Sequence, residues 1–324
     1  MNQNNRHMHH FQAMGCRMSI WLEQDNSAIA ERVLHDAEMR IRSIECRLTR
    51  FDEHSELSQL NSRTGEWVSV SDELWQIIEL ALDCARFTNG LFDPTMLNAL
   101  HAAGYTRSYS LLEETSQQAE ISTDRTLHGR WQEIRLNETQ QSVWLPKHVG
   151  LDLNGIAKGW TAQKIVSFLR KWGACLVDAG GDLTAGDAPN GWPGWPVGIA
   201  IPSTDLAQEA DTDGTLARLW LGNRSLATSG VDYRKWQQNG KEVHHLISPT
   251  TGRSAETDLL TVSVLANDAA FAEAWATAAL IAGQSRGYQM LQQRGIAAAC
   301  VGEDERNGLW LSLTTAMESS LVLC

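Results

Sequence analysis

Helical and strand-like segments succeed one another along this chain without strict strand–helix–strand alternation, and that irregular order leaves few architectures open. Over Ser27–Leu48 the apolar residues Ile29, Val33, Leu34, Ala37, Ile41, Ile44 and Leu48 recur at helical spacing. A second helix starts at Ser71-Asp72, whose side chains can cap it, and ends near Asn89-Gly90. Pro94 opens a shorter helical stretch that stops at Gly104. Strands are expected over 17–22, 131–136 and 142–145, then a helix from Gly155 to about Trp172 and a buried strand at 175–177. Further strands are expected near 197–201, 216–221, 243–247 and 259–266. An amphipathic helix over 268–281, another helix and two closing strands complete the chain. Residues 106–129 are polar and irregular, as in a surface excursion, and 189–196 reads as a hairpin-end loop. One large α+β or mixed α/β domain accommodates this order.

Composition removes several function classes. The 324 residues carry 27 Lys+Arg against 39 Asp+Glu, a net charge of −12, which argues against a generic nucleic-acid binder. The longest dense apolar run, 275–283, is too short to span a bilayer, so no membrane insertion is expected. The opening residues MNQNNRHMHHFQ lack an apolar h-region and a lipobox-like cysteine, so a cytoplasmic location is expected. Residues 1–10, with His7, His9 and His10, read as a polar leader to a domain spanning 11–324, and carry no assigned function. Six cysteines are scattered without C-x-x-C pairs, which suits reduced thiols and not a zinc site.

Five segments can carry chemistry. In Gly150-Leu-Asp-Leu-Asn-Gly-Ile-Ala-Lys-Gly159 a strand with Asp152 feeds a turn at Asn154-Gly155 and then a helix. Such a helix start can seat a phosphate, with Lys158 adding charge, or it is a tight turn beside a solvated lysine. The spacing is neither GxxxxGK[ST] nor GxGxxG. In Ala179-Gly-Gly-Asp182 the glycines allow either close backbone approach to a ligand or a sharp turn, and Asp182 either binds or caps. His244 and His245 precede a Pro-Thr-Thr-Gly turn and face opposite ways, so one is buried or ligand-facing, structural or catalytic. Glu273 and Thr277 stand four apart on one helix face, as oxygen ligands for Mg²⁺ or as an ordinary surface pair. Leu91-Phe-Asp-Pro-Thr95 forms the turn between two helices.

Taken in order, these segments resemble the ApbE family of FAD:protein FMN transferases, from Phe11-Gln-Ala-Met-Gly15 to about Gly283. The resemblance also rests on Leu48-Thr-Arg-Phe-Asp52, Ser55-Glu-Leu-Ser-Gln-Leu-Asn61, Asn89-Gly-Leu-Phe-Asp-Pro-Thr95, Ala227-Thr-Ser-Gly230 and Asp232-Tyr-Arg234. It implies a single α+β, T-fold-related domain of two lobes with FAD in the cleft between them. By the same resemblance Met14, Phe51 and Leu91, Phe92 and Asp93 would line the flavin and adenine pocket. Asp152, Lys158 and Ile247 would contact the nucleotide. The metal would be held by the Gly155 carbonyl, Glu273 and Thr277. Three positions depart from the usual pattern: Glu273 replaces an Asp, Ser248 replaces an Asp and Cys16 replaces a Thr.

The implied reaction is Mg²⁺-dependent. A Thr or Ser hydroxyl in the flavinylation motif of an acceptor flavoprotein attacks the riboflavin-side phosphorus of FAD and AMP leaves. His245 is the first candidate for the base, with Asp182 next. Two alternatives are an FAD pyrophosphatase, with water as acceptor, and a flavin-binding module without catalysis.

Overall fold

A two-residue turn at Met14-Gly15, with φ of 53° and 66°, folds the first two strands into a hairpin. The computed structural model describes residues 5–108, 129–203, 214–238, 240–304 and 308–321. Strand β1 (Arg6–Ala13) pairs with β2 (Cys16–Glu23) from Arg6↔Glu23 to Ala13↔Cys16. Residues 6–10 are therefore sheet and not leader, which corrects the expectation drawn from their polarity. Along β1 exposed and half-buried residues alternate, as an edge strand with one wet face allows. Residues 1–4 lie outside the described residues.

The first half continues with α1 (Ser27–Leu48), α2 (Glu56–Ser62), β3 (Trp67–Ser69), α3 (Asp72–Phe87) and α4 (Leu97–Ala102). Helix α1 is capped by Asn26, which accepts from the Ile29 N–H, and α3 by Ser71, which accepts from the Leu74 N–H. Then come β4 (Arg135–Asn137), β5 (Ser142–Trp144) and α5 (Asn154–Leu169). The expected strand over 131–136 begins only at Arg135, because Trp131–Glu133 closes a 3₁₀ turn. Most of the polar segment 106–129 lies outside the described residues.

The second half comprises β6 (Cys175–Ala179), β7 (Asp182–Ala185), β8 (Trp195–Ala200), β9 (Thr215–Leu221) and β10 (Ser225–Gly230). It continues through β11 (Lys235–Gln238), β12 (Lys241–His244), β13 (Ile247–Ser248), β14 (Arg253–Ser254) and β15 (Leu259–Ala266). It ends with α6 (Ala269–Gln293), β16 (Ala297–Asp304), β17 (Gly308–Leu313) and α7 (Thr315–Glu318). The expected strand over 243–247 is divided, leaving His245 and Leu246 between β12 and β13. Helix α6 breaks at Gly283, with φ 77° and ψ 173°, which yields the two successive helices expected there.

An eight-stranded sheet in the order β1-β2-β6-β7-β10-β15-β16-β17 organises the molecule, every neighbour antiparallel. Helices α1, α5 and α6 cover one face; the β8–β9 ribbon and α7 cover the other through Trp195, Val197, Leu219 and Met317. A smaller lobe of β3-β5-β4 with α2 and α3 has its own core of Leu57, Leu60, Ile77 and Val143. Helix α5 joins the lobes. Ile156, Ala157 and Trp160 belong to the small lobe's core and Ala162, Ile165 and Leu169 to that of the large sheet. Burial on several sides makes its position insensitive to solvent and dependent on its neighbours.

Candidate active site at the start of α5

The chain leaving α3 turns on Asn89, in the left-handed region at φ 52°. The Gly90 N–H donates to the Ala85 carbonyl at 2.7 Å and the Asn89 N–H to the Arg86 carbonyl at 3.2 Å, the paired bonds of a Schellman cap. Buried Thr88 then accepts from the Phe92 N–H at 3.1 Å. Asp93 Oδ1 accepts from the Thr95 N–H at 2.7 Å and from Thr95 Oγ1 at 2.6 Å, closing an Asx-type turn. Leu91, Phe92 and Asp93 are thereby set on the cleft wall.

Opposite them α5 begins. Leu153, at its cap position, offers no side-chain acceptor, and Asp152 Oδ1 instead accepts from the Asn154 N–H at 2.8 Å. The Asp152 N–H donates to the Pro94 carbonyl at 2.8 Å, tying this start to the 91–96 turn. A Cβ on Gly155 would lie 2.9 Å from the Phe92 ring, so only glycine permits this approach.

One turn further, Lys158 Nζ pairs with Asp182 Oδ2 and lies 3.3 Å from Glu273 Oε1. The Gly159 N–H donates to Glu273 Oε2 at 2.9 Å, and the Thr228 N–H to Asp182 Oδ1 at 3.1 Å. The longer Glu273 side chain reaches the α5 main chain because Gly159 has no Cβ; one there would sit 2.5 Å from Oε2. Burial opposes the Lys158 charge, but Asp182 and then Glu273 outweigh it and hold the amine above its ordinary pKa. Burial, resisted by Lys158 and reinforced by Asp182, raises Glu273 well above the carboxylate range. Nearby Asp178 is raised too, by burial first, against the hydrogen bond from the Gly181 N–H. The cluster therefore holds more acid than the single ammonium balances.

His245 lies in the break between β12 and β13. It opens on the cleft, yet protein surrounds most of the ring; that burial first, and the Arg234 charge next, lowers its pKa to about 3. It is neutral at pH 7, and the ordinary pKa on which its choice as base rested does not hold. Its Nδ1 lies 3.4 Å from the Arg234 carbonyl, which can only accept, so the proton sits on Nδ1 and Nε2 keeps its lone pair. Thr277 Oγ1 meets Ser229 Oγ at 2.9 Å.

These groups surround a cleft of about 670 Å³, within the usual range of ligand sites. Every candidate residue except Met14 and Phe51 lines it. Met14 packs into the cores on either side of it, and its N–H donates to Glu45 Oε1 at 2.5 Å, while Gly15 and Cys16 take the wall. Phe51 lies against Tyr105 at 5.9 Å between ring centroids, and Tyr105 lines the cleft. Asp178, Thr228 and Ser229 also line it. The Ala227-Thr-Ser-Gly230 wording could have flagged two of them, although such short polar strands have no apolar period to announce them. The Cys16 thiol is raised by burial, against the lowering charge of Lys158, so it is not an activated nucleophile.

Among the described residues no three His, Cys, Asp or Glu side chains converge as a metal cluster. A cation here would depend on mixed oxygen donors: the carboxylates of Glu273 and Asp182, the Thr277 hydroxyl and the Gly155 carbonyl. That hard, anionic set fits a divalent ion such as Mg²⁺, which takes few protein ligands.

The model of the ApbE family matches residues 14–300. An FAD:protein FMN transferase of Chlamydia muridarum is 32% identical over 238 residues, covering 69% of this chain and 67% of the relative. One from Klebsiella pneumoniae is 27% identical over 301 residues, covering 91% and 88%. The ApbE protein of Thermotoga maritima superposes with a TM-score of 0.84 at 23% identity, over 98% of this chain and all of that one. The flavin transferase ApbE of Vibrio cholerae gives 0.80 at 21%, with the same coverage. At these identities the two structures establish a shared fold.

Proposed function

Since the chain belongs to the ApbE family, we propose that it is an FAD:protein FMN transferase, carrying the FMN moiety of FAD to a Thr or Ser hydroxyl of an acceptor flavoprotein and releasing AMP. The observation that carries this reading is the acid-rich Asp182–Lys158–Glu273 cluster, open to a ligand-sized cleft at a helix N-terminus. A pyrophosphate needs such a place, with N–H groups and an ammonium for its oxygens and hard acids for a bound cation.

Mg²⁺, held by Glu273, Thr277 and the Gly155 carbonyl, would offset the charge that develops on the leaving phosphate. Lys158 holds the phosphates at the start of α5, and Asp182 with Glu273 keeps its ammonium charged and aimed. Leu91, Phe92 and Ile247 give the ring systems an apolar wall. The acceptor oxygen attacks the riboflavin-side phosphorus; that P–O bond forms as the bond to the AMP phosphate breaks. His245 Nε2, neutral and unprotonated, receives the hydroxyl proton. Its low pKa makes it a weak base, so proton removal follows bond formation instead of preceding it. Asp182, engaged by Lys158 and the Thr228 N–H, is a positioning group in this scheme.

Intact-mass spectrometry after incubation with FAD, Mg²⁺ and an acceptor domain tests the reading. The expected result is an acceptor heavier by one FMN phosphoester, with stoichiometric AMP and no gain in EDTA. FMN and AMP without acceptor modification would mean that water is the acceptor. FAD recovered intact would overturn the catalytic reading.

A further inference from the structure

We propose that Arg50 is a positioning residue for the flavin cleft, acting through Asp152 on the first turn of α5; this deepens the FAD reading and rests on it. Arg50 follows α1, and its side chain is 2% exposed. The guanidinium sits in the corner formed by two rings, its Cζ 4.2 Å from the Phe51 centroid and 4.7 Å from that of Tyr105. Its Nη1 donates to the Tyr105 carbonyl at 2.9 Å, and its Nε lies 2.5 Å from Asp152 Oδ2. Neither Nε nor Nη2 makes an aligned hydrogen bond among the described residues, so the grip on Asp152 is an ion pair. A buried pair with two donors left over is a poor device for stability, since desolvation cancels most of the attraction. What it supplies is geometry.

Arg50 does not line the cleft, but Asp152 and Tyr105, the two residues it grips, do. Asp152 reaches three ways: to Arg50, to the Asn154 N–H that starts α5, and through its own N–H to Pro94 beside Phe92 and Asp93. Gly155 and Lys158 follow within that first turn and a half. Arg50 therefore fixes the helix start that meets the phosphates, together with the aromatic wall at Tyr105. Lysine cannot replace it, because one ammonium cannot lie flat against two rings and also meet two acceptors in different directions.

The test is FAD affinity by flavin fluorescence, with thermal melts, for wild type, Arg50→Lys, Asp152→Asn and the double variant. Arg50→Lys should melt close to wild type yet bind FAD about 10-fold more weakly, as loss of an outer contact to a ligand-binding group typically does. In turnover the loss should fall on KM for FAD. Asp152→Asn should lose a similar factor, and the double variant no more than Asp152→Asn alone, because both changes cut one link. Unchanged affinity in Arg50→Lys, losses that multiply in the double variant, or a loss that only tracks the unfolded fraction would each overturn the proposal. Wild type that binds no FAD would overturn the FAD reading itself, and this inference with it.

Discussion

Helix α5 carries two charged clusters less than two turns apart, and they are built on opposite plans. At its start Arg50 and Asp152 balance one to one, 2% and 8% exposed, with the arginine away from the cleft. One turn on, two buried acids share the single ammonium of Lys158, and the group opens on the cleft. A balanced buried pair fixes geometry and carries no net charge that a ligand must neutralise. An unbalanced one is high in free energy until a cation, a proton or a polarised ligand joins it, and buried like charges of this kind cluster at functional sites.

The largest effect that sharpens this contrast is expected from Glu273→Ala. It should lower FMN transfer by at least about 10²-fold, since several kcal/mol of charge stabilisation is at stake. Near-normal turnover with Mg²⁺ would sink the metal assignment. Next, Lys158→Met leaves Asp182 and Glu273 buried without a counter-charge, a change expected to cost about 3–5 kcal/mol at neutral pH. The sign is set by Glu273, which burial already raises and which then loses the lowering charge of Lys158, so the native state binds more protons and stability rises as pH falls. Melts at pH 7 and pH 5 should show the variant recovering relative to wild type; a deficit independent of pH would mean the cluster is not charge-frustrated.

A smaller effect, about 10-fold in activity, is expected from Gly159→Ala. The added Cβ meets Glu273 Oε2 at 2.5 Å and Ala269 Cβ at 3.0 Å, so activity falls through Glu273 and stability falls by about 1–3 kcal/mol through overpacking of this buried position. Activity retained despite a lower melting temperature would mean that Glu273 does not depend on its place at the Gly159 N–H. The smallest signal concerns His245. Its folded pKa is about 3, depressed below the ordinary 6.5, so kcat/KM should show no acid limb near pH 6.5. The stability from burying the neutral ring is complete above pH 6.5 and drains away as pH falls toward 3. His245→Gln should remove that acid-side loss, and an unchanged pH slope of the melting temperature would refute the burial.

Much of this was legible in the residues. Apolar spacing gave α1 and α3, and the caps at Asn26 and Ser71 act as their chemistry requires. Eleven of the candidate residues line the cleft because helix starts and glycine turns are local devices with local signatures, although the strand expected to carry Asp152 does not form and α5 begins directly at Asn154. Strand β1 was illegible for a physical reason: an edge strand needs no apolar face of its own when its partner supplies the register. Strands β7 and β10 were hidden too, since Thr184–Ser225 and Thr228–Ser263 hydroxyl pairs stand where apolar alternation would have announced them.

The sequence by itself determined the family, the mixed α+β character and which side chains are chemically able to handle a pyrophosphate and a hard cation. Only the tertiary structure decided that Met14 faces the core and not the cleft, that Glu273 is anchored on the Gly159 N–H, and that Arg50 and Asp152 are partners. Only it set His245 far below its ordinary pKa. These outcomes depend on residues about 100 or more positions apart, or on burial by several elements at once, and no local pattern encodes a field or an enclosure made by distant neighbours.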